Sequence, residues 1–336
     1  MTEPLSRLEA EVFMQLQRDG RTPYTAVADS IGISEAQVRR IVKQLIARDV
    51  FTITAVADPR LMGLESMAWV ALAVRVAHIE RTAAALARMP EIDYVVITTG
   101  TWNVMAEVAC PDGESLFGLL KHVRALPGVQ RTETYQYFSL LRQQFQWTEA
   151  TPSTEPAPFE PGVGSAPAEI DALDRMLIEL LQDDGRASFR DIGQRLDVSE
   201  RTASSRFTRL VKDGVVRVLA VGNPHELGFH GLAWLGIGLE ADADADEAAA
   251  SLARIPQVSY LVSAAGRYDL MAEIVCRDRA QLIATLDGRI GGIAGIETVE
   301  TFYYLRLLYR NTAGAWSAAR TQTDREGVEP HGVGVA

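Results

Sequence analysis

Hydrophobic positions along the chain follow two rhythms, one with helical spacing and one of short continuous apolar runs, and their order predicts the elements. In the segment from Leu173, the residues Leu173, Leu177, Leu180 and Leu181 recur at helical spacing, and Asp184-Gly185 stops the helix. A short second helix carries Phe189, Ile192 and Leu196 and ends at Asp197-Val198. Ser199 then caps a third helix in which Ala203, Phe207, Leu210 and Val211 form the inward stripe, closed at Asp213-Gly214. Three short helices joined by so tight a second turn make a helix-turn-helix. The amino-terminal segment repeats the pattern: Leu8, Val12 and Leu16 lead to Asp19-Gly20, and Ser34 caps a third helix with Val38, Val42 and Leu45 inward.

Each helical head is followed by a short β segment, VFTITAV (50–56) or VVRVLAV (215–221), and then by alternating strands and helices. In the first half these are a strand MAWVALAVRVA, a helix over 80–89, strands DYVVITTG and WNVMAEVAC, a helix over 114–125 and a strand around TETYQYFSLL. The β-α-β-β-α-β order is ferredoxin-like, a four-stranded antiparallel sheet with both helices on one face. AWVALAVRV and LAWLGIGL are apolar at successive positions, which fits strands covered on both faces. Helices cover only one. The other face is therefore expected to meet a second sheet about 10 Å away. A homologous sheet exists in the same chain, so the halves are expected to pair as an internal pseudo-dimer.

The homology is legible as a repeat at an offset of 165 residues: Leu8 aligns with Leu173, Ser34-Glu35 with Ser199-Glu200, Pro59 with Pro224 and Trp69 with Trp234. One residue further in offset, Pro90 aligns with Pro256, Gly100 with Gly266, Glu107 with Glu273 and Cys110 with Cys276. The expected fold class is α+β, with two winged-helix-type helix-turn-helix heads (1–57 and 169–222) and two ferredoxin-like βαββαβ sensor domains (64–147 and 229–311). A Pro/Gly/Ala/Ser-rich linker is expected at 148–168 and a disordered tail at 312–336.

A hydrophobic share of 47% and a charged share of 23% fit an ordinary globular protein, whereas the net charge of −11 argues against bulk attraction to nucleic acid. Any contact with double-stranded DNA must be local. The third helix of the second head supplies it: Arg201, Arg206, Arg209 and Lys212 face one acid, Glu200. Ser199, Arg201, Thr202, Ser205, Arg206 and Arg209 are the candidate contacts to phosphates and base edges. In the first head the candidates are Ser34, Gln37, Arg39, Arg40 and Lys43, but Ile41 stands where the second copy has Arg206, so the second head is expected to bind better. The charge run alone reads equally well as a solvated helix face.

Other features exclude function classes. No apolar run approaches the roughly 18–20 residues of a membrane helix, and the amino terminus lacks a signal-peptide pattern, so a cytoplasmic location is expected. Cys110 and Cys276 are expected to be packing residues, and the five histidines show no metal-ligand spacing. Trp69 and Trp234 read as core. With no GxGxxG, P-loop or nucleophile elbow, no cofactor and no enzymatic activity are expected.

Helix-turn-helix heads followed by β-α-β-β-α-β units, with SAAGRYDLMAEIVC between the middle strands, resemble the feast/famine (Lrp/AsnC) transcription regulators. The resemblance spans about 5–145 and 170–310. It implies sensor domains paired through their sheets, heads on adjacent half-sites, further assembly into homo-oligomers, and a small effector, typically an amino acid, at the Gly-x-aromatic-Asp turn. In the second copy the turn offers Gly266 for close backbone approach, Tyr268 as an apolar wall with a polar tip and Asp269 as an acceptor for an α-amino group. From the turn alone, a plain hairpin is the simpler reading. The first copy has Gly100, Trp102 and Asn103, an amide that forfeits the charge-assisted bond. Two rival readings remain: a siroheme decarboxylase-like enzyme, since such enzymes resemble this two-domain layout, and a metabolite-binding protein without DNA binding, suggested by the acidic pI near 5.1.

Overall fold

The computed structural model describes residues 5–144 and 170–310, so the linker and tail expectations lie outside the described residues. In the first head, α1 (Arg7–Arg18), α2 (Tyr24–Ile31) and α3 (Glu35–Ala47) follow one another. The second head repeats them as α6 (Ala172–Asp183), α7 (Phe189–Leu196) and α8 (Glu200–Lys212). Local chemistry sets the boundaries. Ser6 with Glu9, and Asp171 with Asp174, form capping boxes that satisfy the first amides of α1 and α6. Gly32 ends α2 in the left-handed conformation, and Asp197, not a glycine, does the same for α7.

Val12, Leu16, Val38, Val42, Leu45, Leu177, Ala203 and Leu210 are buried as their spacing predicts. Two expected inward residues are exposed instead. Val211 is 42% and Leu8 41% exposed. Val211 follows Leu210 by one residue, a rotation of about 100°, which carries it off the stripe, and Leu8 sits in the first turn at the stripe's margin.

Behind each head runs one strand, β1 (Phe51–Ala57) and β6 (Val216–Gly222), and these pair antiparallel from Phe51 opposite Gly222 to Ala57 opposite Val216. The pairing fuses both heads around one apolar cluster containing Phe13, Leu45, Phe51, Leu177 and Leu210. Gly20 donates its amide to the Val218 carbonyl at 2.8 Å, and Gly185 donates to the Ile53 carbonyl at 3.0 Å. A Cβ on Gly185 would lie 2.8 Å from that carbonyl oxygen, so the close approach requires glycine. Arg21 then reaches the Gly185 and Ala187 carbonyls at 2.7 and 3.0 Å, while Arg186 reaches those of Gly20 and Thr22 at 2.6 and 3.1 Å.

The sensor units comprise β2 (Ser66–Val74), α4 (Ile79–Leu86), β3 (Ile92–Thr98), β4 (Val104–Cys110), α5 (Gly113–Arg124) and β5 (Val129–Gln143) in the first half. The second half has β7 (Gly231–Leu239), α9 (Ala245–Ala253), β8 (Val258–Ala265), β9 (Leu270–Cys276), α10 (Arg279–Thr285) and β10 (Ile296–Arg310). Instead of two separate facing sheets, all eight strands close into one barrel in the order β10-β3-β4-β2-β5-β8-β9-β7. The reason is strand length. β5 pairs with β2 as far as Gln136 and then runs along β8, while β10 leaves β7 at Tyr303 and continues along β3, with bulges in both seams. Closure leaves neither sheet an open edge.

The barrel explains the strands that are apolar on both faces. Ala68, Val70 and Leu72 face outward under α4 and α5, whereas Trp69 and Ala71 face the barrel interior. There Trp69 and Trp234 meet with ring centroids 4.3 Å apart. Cys110 and Cys276 are buried beneath the helices, where desolvation pushes each thiol up to about 11, in keeping with packing roles.

Candidate nucleic-acid interface and sensor turns

Four of the proposed DNA contacts bond one another at the caps of their own helices. Ser34 Oγ accepts the Gln37 amide at 3.3 Å, and Gln37 Oε1 accepts the Ser34 amide at 3.0 Å. Ser199 Oγ accepts the Thr202 amide at 3.0 Å and pairs with the Thr202 hydroxyl at 2.8 Å. These residues sit at the amino-terminal ends of α3 and α8, where partial positive charge favours a phosphate.

The cations divide into two groups. Arg206 contacts Asp171 at 2.7 Å and Asp174 at 2.9 Å, and Arg209 also pairs with Asp174. The Asp174 carboxylate is buried, so these guanidiniums supply the compensation that an interior charge requires. Both arginines therefore clamp α8 onto the start of α6, and Arg206 is only half-exposed. Its counterpart Ile41 is buried, so this helix position faces the protein in both copies. In the first head, Arg48 pairs with Glu9 at 3.1 Å across the same two helices. Arg39 is held by Glu35 at 2.5 Å and lies over the Tyr24 ring. Arg40, Lys43, Arg201 and Ser205 are exposed on the outer face.

The sensor turns are similarly divided. Gly100 and Gly266 have φ of +96° and +141°, which a side chain would resist. Tyr268 points inward and is buried, packed 5.1 Å from Tyr135 and 6.2 Å from Phe302 by ring centroids. Its hydroxyl donates to Glu300 Oε2 at 2.5 Å, and burial with that carboxylate pushes the phenol up. Arg267 closes on the same Glu300 at 3.2 Å. Asp269 is exposed, and its Oδ2 accepts the Leu239 amide at 2.8 Å. Asn103 does the matching task with both ends of its amide, accepting the Val74 amide at 2.9 Å and donating to the Val74 carbonyl at 2.8 Å. Trp102, like Tyr268, is buried. Asp269 and Asn103 thus extend the strand ladder, while the adjacent aromatics plug the barrel.

Two acids escaped the reading of the sequence as sites. Glu107 accepts hydrogen bonds from the Tyr137 and Tyr260 hydroxyls, each at 2.9 Å. Glu273 accepts from Tyr94 at 2.7 Å, Tyr304 at 2.9 Å and Ser259 at 2.5 Å. Burial beside these carboxylates raises the Tyr137, Tyr260 and Tyr304 phenols well above their ordinary range, so they remain donors. The signal was available: one acid inside an otherwise apolar strand, MAEVAC and again MAEIVC. The Asp171/Asp174 clamp was likewise legible only as a cap. Among the described residues no group of three His, Cys, Asp or Glu is placed to hold a metal, and no helix is long and apolar enough to cross a membrane.

Residues 15–52 and 170–217 match the winged helix-turn-helix DNA-binding family, and residues 67–146 and 232–313 match the Lrp/AsnC ligand binding domain. An HTH-type transcriptional regulator of Pyrococcus horikoshii is 33% identical over 138 residues, covering 41% of this chain and 87% of the relative. The chain belongs to the Lrp/AsnC family. The regulator FL11 of Pyrococcus furiosus is 32% identical over 139 residues, 41% of this chain and 91% of its own. The regulatory protein AsnC of Escherichia coli is 26% identical over 138 residues, again 41% and 91%. Each relative spans about one copy of the repeat, so this Lrp/AsnC protein is a tandem-duplicated form. The crystal structure of the siroheme decarboxylase NirDL covers 90% of the chain and 93% of its own at a TM-score of 0.59 and 18% identity, a likeness of fold.

Proposed function

We propose that this DNA-binding Lrp/AsnC regulator acts in the cytoplasm as a self-contained pseudo-dimer, with its two heads on adjacent half-sites of double-stranded DNA and its activity set by a small metabolite of the amino-acid class. The observation that carries the reading is the antiparallel β1–β6 lock, which sets α3 and α8 about one pseudo-two-fold, each with exposed cations. Arg40, Lys43 and Arg201 are the cationic contacts, and Ser34, Gln37, Ser199, Thr202 and Ser205 lie beside them. Arg206 and Arg209 act by fixing α8. For the effector, the ligand-binding family match supports the turns Gly266–Asp269 and Gly100–Asn103 as the site, reached through exposed backbone and the free oxygen of Asp269 where neighbouring chains of a homo-oligomer meet.

A mobility-shift titration at low salt against the DNA upstream of the chain's own gene, with and without amino acids, tests this. A shift that an amino acid strengthens or relieves is expected. No shift under any of these conditions rejects the regulator reading. The full-length likeness to NirDL favours one second reading, a tetrapyrrole enzyme, although here Trp69, Trp234 and the surrounding tyrosines fill the barrel. An absorbance titration with iron-uroporphyrin III separates the two, and an unchanged spectrum is expected.

A further inference from the structure

Aligned by the repeat, α3 and α8 present one outward stripe each, spaced four, three and four residues. On α3 it reads Ala36, Arg40, Lys43, Ala47, and on α8 Arg201, Ser205, Thr208, Lys212, all exposed. Each stripe lies opposite the buried side of its helix, Val38 and Leu45 on α3, Ala203 and Leu210 on α8. The ion pairs of these helices use Arg39, Arg206 and Arg209 and leave the stripes to solvent. The two heads have therefore exchanged charge positions. The α3 cations lie mid-helix, about 4.5 Å apart along the axis, whereas those of α8 lie at its two ends, about 16 Å apart. Cations about 16 Å apart can reach both walls of a major groove about 12 Å wide; adjacent ones engage neighbouring phosphates on one wall.

Two identical heads related by a two-fold axis match a palindrome. These heads are not identical, and the seven-residue β1–β6 pairing together with the reciprocal Arg21 and Arg186 bonds fixes which lies where. We propose that the chain reads one non-palindromic operator in a single orientation, Arg40 and Lys43 setting the register over one half-site and Arg201 and Lys212 over the other. The proposal rests on the DNA-binding reading.

The test selects randomised double-stranded DNA with the full chain and then footprints the enriched duplex. A non-palindromic consensus is expected. The paired variant Arg40→Ala with Lys43→Ala should weaken binding about tenfold, lower the log–log salt slope by about 2 and lose protection over one half of the footprint. Arg201→Ala with Lys212→Ala should do the same over the other half. Unchanged thermal midpoints of these surface variants separate lost contacts from lost fold. A palindromic consensus, or loss of protection spread evenly over both halves by either pair, overturns the fixed orientation while leaving DNA binding intact. Failure to enrich any duplex overturns the DNA-binding reading and the inference with it.

Discussion

At the scale of the residue, the acids inside the chain decide more than its surface charges. Glu273 satisfies three hydroxyls within the barrel, so Glu273→Leu removes the carboxylate that Tyr94, Tyr304 and Ser259 share and leaves Ser259 only the backbone carbonyl of residue 273 at 3.2 Å. The expected loss is about 3 kcal/mol, read by chemical denaturation, and Glu273→Gln, which keeps an acceptor, should lose less. Asp174→Ala removes the carboxylate that pairs with Arg209 and one of the two that hold Arg206, which keeps Asp171. Because both arginines retain access to water, the loss should be smaller, about 1–2 kcal/mol. A loss of DNA affinity confined to Arg206→Ala variants that remain fully folded would contradict the clamp. The cap residues Ser34 and Ser199 were readable from the sequence because capping is local chemistry. The direction of Arg206 was not, because it depends on Asp171 and Asp174 from a helix more than thirty residues away.

At the scale of the element, the strand and helix order was legible because each unit buries its face at its own period. Barrel closure was not, since nothing in the local pattern of β5 or β10 says where one sheet ends and its neighbour begins. The turn after β6 shows the same dependence on tertiary context. Leu227 inserts between the head and barrel cores, beside stacked His225 and His230 with ring centroids 6.1 Å apart. The first copy has Arg60 and Glu65 at these positions, with Arg60 paired to Asp58 at 2.7 Å. Burial, and then His230, lower the His225 pKa. The unfolded chain therefore binds the proton more readily than the folded one. This contribution to stability is present above the ordinary histidine value of about 6.5 and lost as pH falls through the lower folded value. His225→Gln should flatten the fall in thermal midpoint between neutral and mildly acidic pH. An unchanged slope would show that His225 does not govern it.

At the scale of the whole molecule, neither half is complete without the other. A chain restricted to residues 170–310 would expose the edges of β8 and β10, and its head would lack the partner of β6. It should self-associate into dimers, seen by light scattering, with a midpoint that rises with protein concentration. The full chain should show no such dependence for the barrel transition, because both seams are closed within one polypeptide. The same seams bear on how this regulator coexists with relatives. A regulator assembled from separate copies can trade them, and related copies can mix to form hybrids. Here, among the described residues, β5 and β10 fill the barrel seams at which a foreign half would dock, so the barrel resists exchange. Each half is then free to specialise, since every molecule carries both versions in the ratio of one to one.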